Sequence, residues 1–259
     1  MLGIIWSTIM PLAQAFVFAF VFGYVMSSGG KNLSAHIFCA LTAWIFFQTG
    51  ILDASQSILS QIGLIKKVYF PREIPIIACV GANLIHFLIS ICVFVVYRWV
   101  IMGFMFGWKD VGYPSITILY LPLVIFIELL LTLGIALFVT GWNVFYEDVK
   151  FIAGIVLMFL MYLTPVIYPV ENMLYSPKIP ASLHMTLYHI ILLNPIAWCI
   201  VAFKQMFFGR EPCIVGGVRY MTATFDIRYG LVALVVSFVV FIIGYRSFNS
   251  MKWRFAERP

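Results

Sequence analysis

The sequence predicts an all-α integral membrane protein, one domain built from six transmembrane helices. Three observations carry this. Of the 259 residues, 63% are hydrophobic and only 10% are charged, whereas soluble domains carry about 25% charged residues. The apolar residues come in runs close to the roughly 20 needed to cross a bilayer. The charges gather between those runs. A water-soluble globule or a disordered chain would need more polar surface than this chain has. The net charge of +6 could suggest nucleic acid, but cations placed at the ends of apolar runs meet lipid headgroups instead. No nucleic-acid partner is expected.

The first span is expected at residues 4–26, free of charge and with Pro11 near its start. It is longer than a signal-peptide core of about 7–15 residues, so it reads as a retained helix. A Ser/Gly-rich break follows. The second span covers 36–60 and carries Asp53, and a polar segment, 61–73, follows it. The third covers 74–96, ahead of a mixed loop from Arg98 to Tyr113. The fourth, 115–140, carries Glu128; the fifth, 151–168, ends at Pro165 and Pro169; the sixth is 229–245 with a basic tail. Between the last two lies a mixed region, 170–228, whose apolar stretch 190–203 is interrupted at Asn194-Pro195. That stretch is short for a crossing and fits a re-entrant hairpin, with a seventh span as the alternative.

Six spans place both termini on one side. With the termini inside, the cytoplasmic segments hold Lys66, Lys67, Arg72, Lys150, Arg246, Lys252, Arg254 and Arg258. Long loops are discounted in this rule. Without region 170–228, only Lys31, Arg98 and Lys109 stand outside. Both termini are therefore expected in the cytoplasm.

Much chemistry is missing. The chain has no GxxxxGK[ST] loop to cradle phosphates, no HExxH and no GxSxG. Cys39, Cys79, Cys92, Cys199 and Cys213 are scattered without CxxC spacing. His184 and His189 are off one helical face. No metal or cofactor is expected in this chain. Asp53 and Glu128 are acids within apolar spans, and an intramembrane carboxylate is costly enough to raise a functional question. A proton relay, a polar helix–helix contact and a cavity-lining role are all open for them.

Aromatic residues make up 17% of the chain, and some line up. Phe16, Phe20 and Tyr24 recur at helical spacing in the first span, and Phe159 and Tyr162 in the fifth. Such faces can stack on sugar rings or simply pack against lipid and neighbouring helices. In the 61–73 segment, Lys66, Lys67, Arg72 and Glu73 alternate with Ile65, Val68 and Phe70, and Pro71 breaks the helix. A short amphipathic helix of this kind lies in the membrane plane, docks into a groove on a cytoplasmic partner, or serves as a topogenic basic loop.

Residues Leu64-Ile65-Lys66-Lys67-Val68-Tyr69-Phe70-Pro71-Arg72-Glu73-Ile74-Pro75 resemble the cytoplasmic loop of the permease subunits of ABC-2-type polysaccharide exporters. These move lipid-linked O-antigen of lipopolysaccharide, capsular polysaccharide or wall teichoic acid. Four further stretches agree in order. They are Leu2-Gly3-Ile4-Ile5-Trp6 leading to Pro11; the second cytoplasmic loop at 143–150; Tyr162 through Pro165 to Pro169; and Leu193-Asn194-Pro195-Ile196 through Lys204 to Gly209. The resemblance covers essentially the whole chain.

It implies a six-span permease in the bacterial cytoplasmic (inner) membrane, working as a homodimer. Two copies of a separate ABC ATPase would bind beneath it and hold the ATP and Mg. This chain would have no catalytic site of its own. Lys66, Lys67, Phe70, Pro71, Arg72 and Glu73 would form the ATPase-coupling segment, with Asn143, Tyr146, Glu147 and Asp148 in the second cytoplasmic loop. A glycan would pass the aromatic residues named above. Relatives carry a basic interfacial helix ahead of Leu-Gly-x-x-Trp, whereas Met1 stands one residue before that motif. Lys204 stands where relatives carry Arg, keeping the charge without the bidentate geometry. An ABC-2 exporter of a small lipid or drug, a proton-coupled transporter using Asp53 and Glu128, and a membrane-embedded enzyme remain as alternatives. No acid–base pair supports the last.

Overall fold

A computed structural model describes residues 9, 13, 14, 16, 17, 20, 21, 33–61, 63, 71–103, 115–177, 179–210, 212–215, 218–222 and 225–252. Most of the expected first span and most of the 61–73 segment, including Lys66, Lys67 and Phe70, lie outside these residues. The described elements are α1 (Leu33–Ser60), α2 (Ile74–Val96), α3 (Leu121–Phe145), α4 (Val149–Leu163), α5 (Asn172–Tyr175), α6 (Ala181–Leu193), α7 (Pro195–Phe208), β1 (Pro212–Val215), β2 (Val218–Met221) and α8 (Ile227–Met251). A π-helical turn, Tyr97–Met102, prolongs α2, and a 3-10 turn, Ile116–Tyr120, leads into α3.

Helix α1 is the centre. Nearly every residue from Ala35 to Phe47 is buried, which explains why its apolar residues surround the whole helix rather than one stripe. Its hydroxyl side chains bond back to their own helix: Thr42 donates to the Phe38 carbonyl at 2.8 Å and Ser57 to that of Ala54 at 2.7 Å. Polar residues thus enter a buried helix without orphaned donors. Around α1 pack α2, α3 and α7. Aromatic rings fill the seams between them. Phe46 stacks on Phe87 at 4.9 Å, Phe87 meets Phe203 edge-on at 5.7 Å, and Phe94 meets Phe207 at 5.1 Å. These geometries are the favoured ones for ring pairs.

The most extensive helix pair is α3 with α8, and glycine is the reason. A Cβ on Gly244 would collide with the backbone carbonyl of Gly134. A Cβ on Gly134 would lie 2.7 Å from the Phe241 backbone. Between apolar helices in lipid there is no hydrophobic drive to associate, so close backbone contact at small residues supplies the attraction.

Among the described residues, four helices are long and apolar enough to cross a membrane: 33–60, the extended α2, the extended α3, and α8. The count becomes five if the pair α6–α7, bent by 97°, forms one span. The break falls at Asn194-Pro195. Pro195 opens α7 where its missing N–H costs nothing, and the Asn194 side chain accepts from the Ile196 N–H at 3.3 Å. Helix α4, with 15 residues, reaches only about 22 Å at 1.5 Å per residue. It stops at Leu163 because Pro165 follows.

The helical fold carries one small accessory: β1 and β2 pair antiparallel, in a register that sets Val215 opposite Val218. Gly216 and Gly217 stand between them in the sequence, a dipeptide type that two-residue hairpins favour. One expectation needs correction: Arg98 does not belong to a loop. It lies on the continuation of α2 and is 2% exposed.

Gly244→Ala should lower stability by about 1–3 kcal/mol, read as a drop in melting temperature in detergent. Gly154→Ala on α4, where an added Cβ meets nothing within 4 Å, should gain up to about 1 kcal/mol from helix propensity.

Candidate functional site

The expected site residues fall at two ends of the bundle. Helices α1 and α3 both run from the end where Ser115 N–H bonds to the Met206 carbonyl (3.0 Å) towards Ser55 and Asn143. Asn143 is fully buried there. Its amide donates to the Ser55 carbonyl at 2.9 Å, and its oxygen accepts from the Lys150 N–H at 3.1 Å. One side chain thus pins α1, the end of α3 and the start of α4. Thr140, one turn earlier, adds a bond to the Ala54 carbonyl at 3.0 Å. The rest of this loop faces outward: Tyr146 is exposed and stacks on Trp142, and Glu147 and Asp148 are exposed.

Of the expected coupling residues in the 61–73 segment, Pro71, Arg72 and Glu73 are described. Pro71 is exposed, and Arg72 is half-buried. Glu73 turns inward: its carboxylate accepts from the Lys252 ammonium at 2.8 Å. Burial works against ionising Glu73, but the Lys252 hydrogen bond, the Glu73 backbone N–H and the Lys252 and Arg72 charges outweigh it. Its carboxyl is held below the usual carboxylate range.

The two intramembrane acids differ. Asp53 accepts from the Asn83 amide at 3.1 Å, a polar contact between α1 and α2. Glu128 is 0% exposed, and neither carboxylate oxygen has a hydrogen-bond partner among the described residues. The sequence placed both acids in apolar spans; only packing separates a bonded acid from an unbonded one.

The aromatic residues proposed to meet sugar lie outside the core. Phe16, Phe20, Phe159 and Tyr162 are 71%, 54%, 64% and 56% exposed on this single chain; Tyr24 lies outside the described residues. Helix α4 as a whole buries only Leu157. Along its first turns and α1 runs an open cavity of about 470 Å³ lined by Leu52, Gln56, Lys150, Phe151, Gly154, Ile155 and Met158.

At the opposite end, two cations have roles that their sequence positions did not reveal. Lys204 on α7 donates to the carbonyls of Pro165, Val166 and Tyr168, at 2.6, 3.1 and 3.4 Å. Arg98 donates to the Phe207 carbonyl and lies 4.5 Å over the Phe208 ring. Arg98 thus meets the last turn of α7, a place that favours positive charge, and Lys204 gathers the carbonyls of the turn that follows α4. His184 bonds to the Ile179 carbonyl at 2.9 Å and His189 to the Tyr229 hydroxyl. Among the described residues no three His, Cys, Asp or Glu side chains gather to hold a metal.

Long apolar helices, a helix buried on all sides and carbonyls satisfied by internal cations define a multi-pass helical membrane protein. More particularly, the chain belongs to the ABC-2 type transporter family, whose sequence model matches residues 1–208. It is similar to O-antigen export system permease protein RfbA of Klebsiella pneumoniae. One such protein is 26% identical over 258 residues, covering 99% of this chain and 87% of the relative. A protein of that name from Myxococcus xanthus is 25% identical over 210 residues, covering 81% and 74%.

The Glu73–Lys252 contact predicts a pH dependence. Glu73 ionises at lower pH in the folded chain than in the unfolded one. Its stabilisation is therefore complete above the usual carboxylate range and is lost as pH falls through the lowered value. In thermal melts between about pH 7 and pH 3, Glu73→Gln should be less stable than the native chain at neutral pH, and the gap should close on acidification. A gap that stays constant contradicts the assignment.

Proposed function

We propose that this chain is the membrane permease of an ATP-driven exporter that moves lipid-linked O-antigen across a bacterial inner membrane. The observation that carries this reading is the near full-length similarity to proteins named O-antigen export permeases, over 99% of this chain. The absence of a phosphate-binding loop from the sequence fits an energy source on a separate polypeptide, an ABC ATPase that binds ATP and Mg. In this reading two permeases and two ATPases make the transporter. Each permease crosses the membrane six times with both termini in the cytoplasm, and α6–α7 is re-entrant from the outer side.

The mechanism follows from the two ends. ATP closes the ATPase dimer and moves the segment 61–73, in which Lys66, Lys67, Phe70, Pro71, Arg72 and Glu73 would meet it; the loop with Tyr146, Glu147 and Asp148 would lie alongside. Asn143 ties that loop to α1, so displacement at the cytoplasmic face reaches the central helix directly. The permeases then change their packing and the glycan slides between them. The exposed rings of Phe16, Phe20, Phe159 and Tyr162 support placing α4 and the first span, with Tyr24, along that path. A lone chain leaves these rings uncovered, and sugar rings stack on aromatic faces without needing a fixed register. The fixed outer end of α4, held by Lys204, would keep Phe159 and Tyr162 in place while the inner end moves.

The test uses the permease with its ATPase in proteoliposomes loaded with lipid-linked glycan. Phe70→Ala with Arg72→Ala should cut glycan-stimulated ATP hydrolysis and export at least about tenfold, the cost of roughly 1.4 kcal/mol in coupling. Phe159→Ala with Tyr162→Ala should slow export while leaving ATPase binding intact. Export that persists without the ATPase and collapses with the proton gradient would favour a proton-coupled carrier instead.

A further inference from the structure

Glu73 is the residue just before α2, and Lys252 is the first after α8. Their side chains meet at 2.8 Å across 179 positions of sequence, each only 20% exposed. Among the described residues α2 and α8 share no packed seam; α2 lies chiefly on α1, and α8 chiefly on α3. The ion pair therefore joins the ends of two helices that share no extensive packing of their own among the described residues.

What Lys252 is attached to gives this contact its interest. Helix α8 cannot slide along α3 without backbone collision at Gly134 and Gly244. One turn from Lys252, a Cβ on Gly141 would meet the Met251 side chain at 2.9 Å and the Phe248 backbone at 3.6 Å. The two helices form one stiff unit from mid-bundle to its end. On the other side, Pro71 limits bending where the 61–73 segment enters α2, and Arg72 adds a second positive charge beside Glu73.

We propose that the Glu73–Lys252 ion pair is a strut that transmits movement of the 61–73 segment into the α8–α3 unit, which makes Lys252 a positioning residue for transport. This rests on the reading of 61–73 as the ATPase contact. The other route for a push on the start of α2 runs through its packing on α1 and, less extensively, on α3, where apart from the Asn83–Asp53 bond the contacts are chiefly apolar side chains that can slip past one another. A charge-assisted hydrogen bond is short and directional, and partial shielding from water keeps its attraction from being screened away. An ion pair that merely stabilised the fold would change melting temperature and assembly. A strut changes how much export each ATP drives.

The experiment measures glycan exported per ATP hydrolysed by the reconstituted permease–ATPase complex. Glu73→Lys and Lys252→Glu should each lower that ratio about fivefold or more, the low end of typical coupling free energies. The charge-swapped double variant should recover to within about twofold, the signature of a direct pairwise interaction. Lys252→Arg should keep the ratio and Lys252→Met should lose it, so the test stands even if Glu73→Lys fails to fold. A double variant no better than the single ones, or single variants with an unchanged ratio, overturns the strut. Phe70→Ala with Arg72→Ala separates the two readings. If it uncouples the complex while Lys252→Met does not, the strut fails alone. If it leaves ATPase binding and coupling untouched, the ATPase-contact reading fails, whatever Lys252 does.

Discussion

A helix end leaves carbonyls without partners in its own helix, and buried away from water each costs several kcal/mol; the irregular elements of this structure meet that requirement with side chains. Helix α4 stops at Leu163, and Lys204 takes the carbonyls of Pro165, Val166 and Tyr168 in the turn beyond it at 2.6–3.4 Å. Helix α7 stops at Phe208, and Arg98 takes the Phe207 carbonyl. The break between α6 and α7 is capped by Asn194. With these ends satisfied, a short helix and a sharply bent pair can sit beside long crossing helices. Without these cations the irregular half of the fold would leave those carbonyls unpaired.

The same scarcity of polar partners explains the helix contacts. Seams without a hydrophobic drive are closed by shape. Rings interlock between α1, α2 and α7, and α3 and α8 meet where glycine removes the side chains. The few polar bonds are spent where a position must be exact: Asn143 joins three elements, Thr140 a pair, Asp53–Asn83 another, and Glu73–Lys252 the two ends farthest apart in sequence. Glu128 stands apart from this pattern, a buried carboxyl unbonded among the described residues.

Membership of the ABC-2 type transporter family puts this architecture to use. The α3–α8 pair and the central α1 are its closely packed part. Helix α4 is short, tied at its start through Asn143 and just beyond its end by Lys204, and uncovered along most of its length.

Composition and periodicity alone determined the membrane class and the break at Asn194-Pro195, because apolar run length and proline act locally; α3 and α8 nevertheless run five and six residues past the ends expected for their spans. The ordered motifs from Leu64–Pro75 to Gly209 pointed to the family. Other features depended on what lies far away in sequence. The pairing of β1 with β2 rests on a local pattern that the apolar runs around it mask in the sequence. That Arg98 and Lys204 are internal caps rather than loop charges, that Glu73 turns towards Lys252, and that Asp53 is bonded while Glu128 is not, were decided by tertiary packing. A charge reports only that it must find a partner; which carbonyl or ammonium it finds depends on helices meeting across the bundle, and no spacing along the chain encodes that.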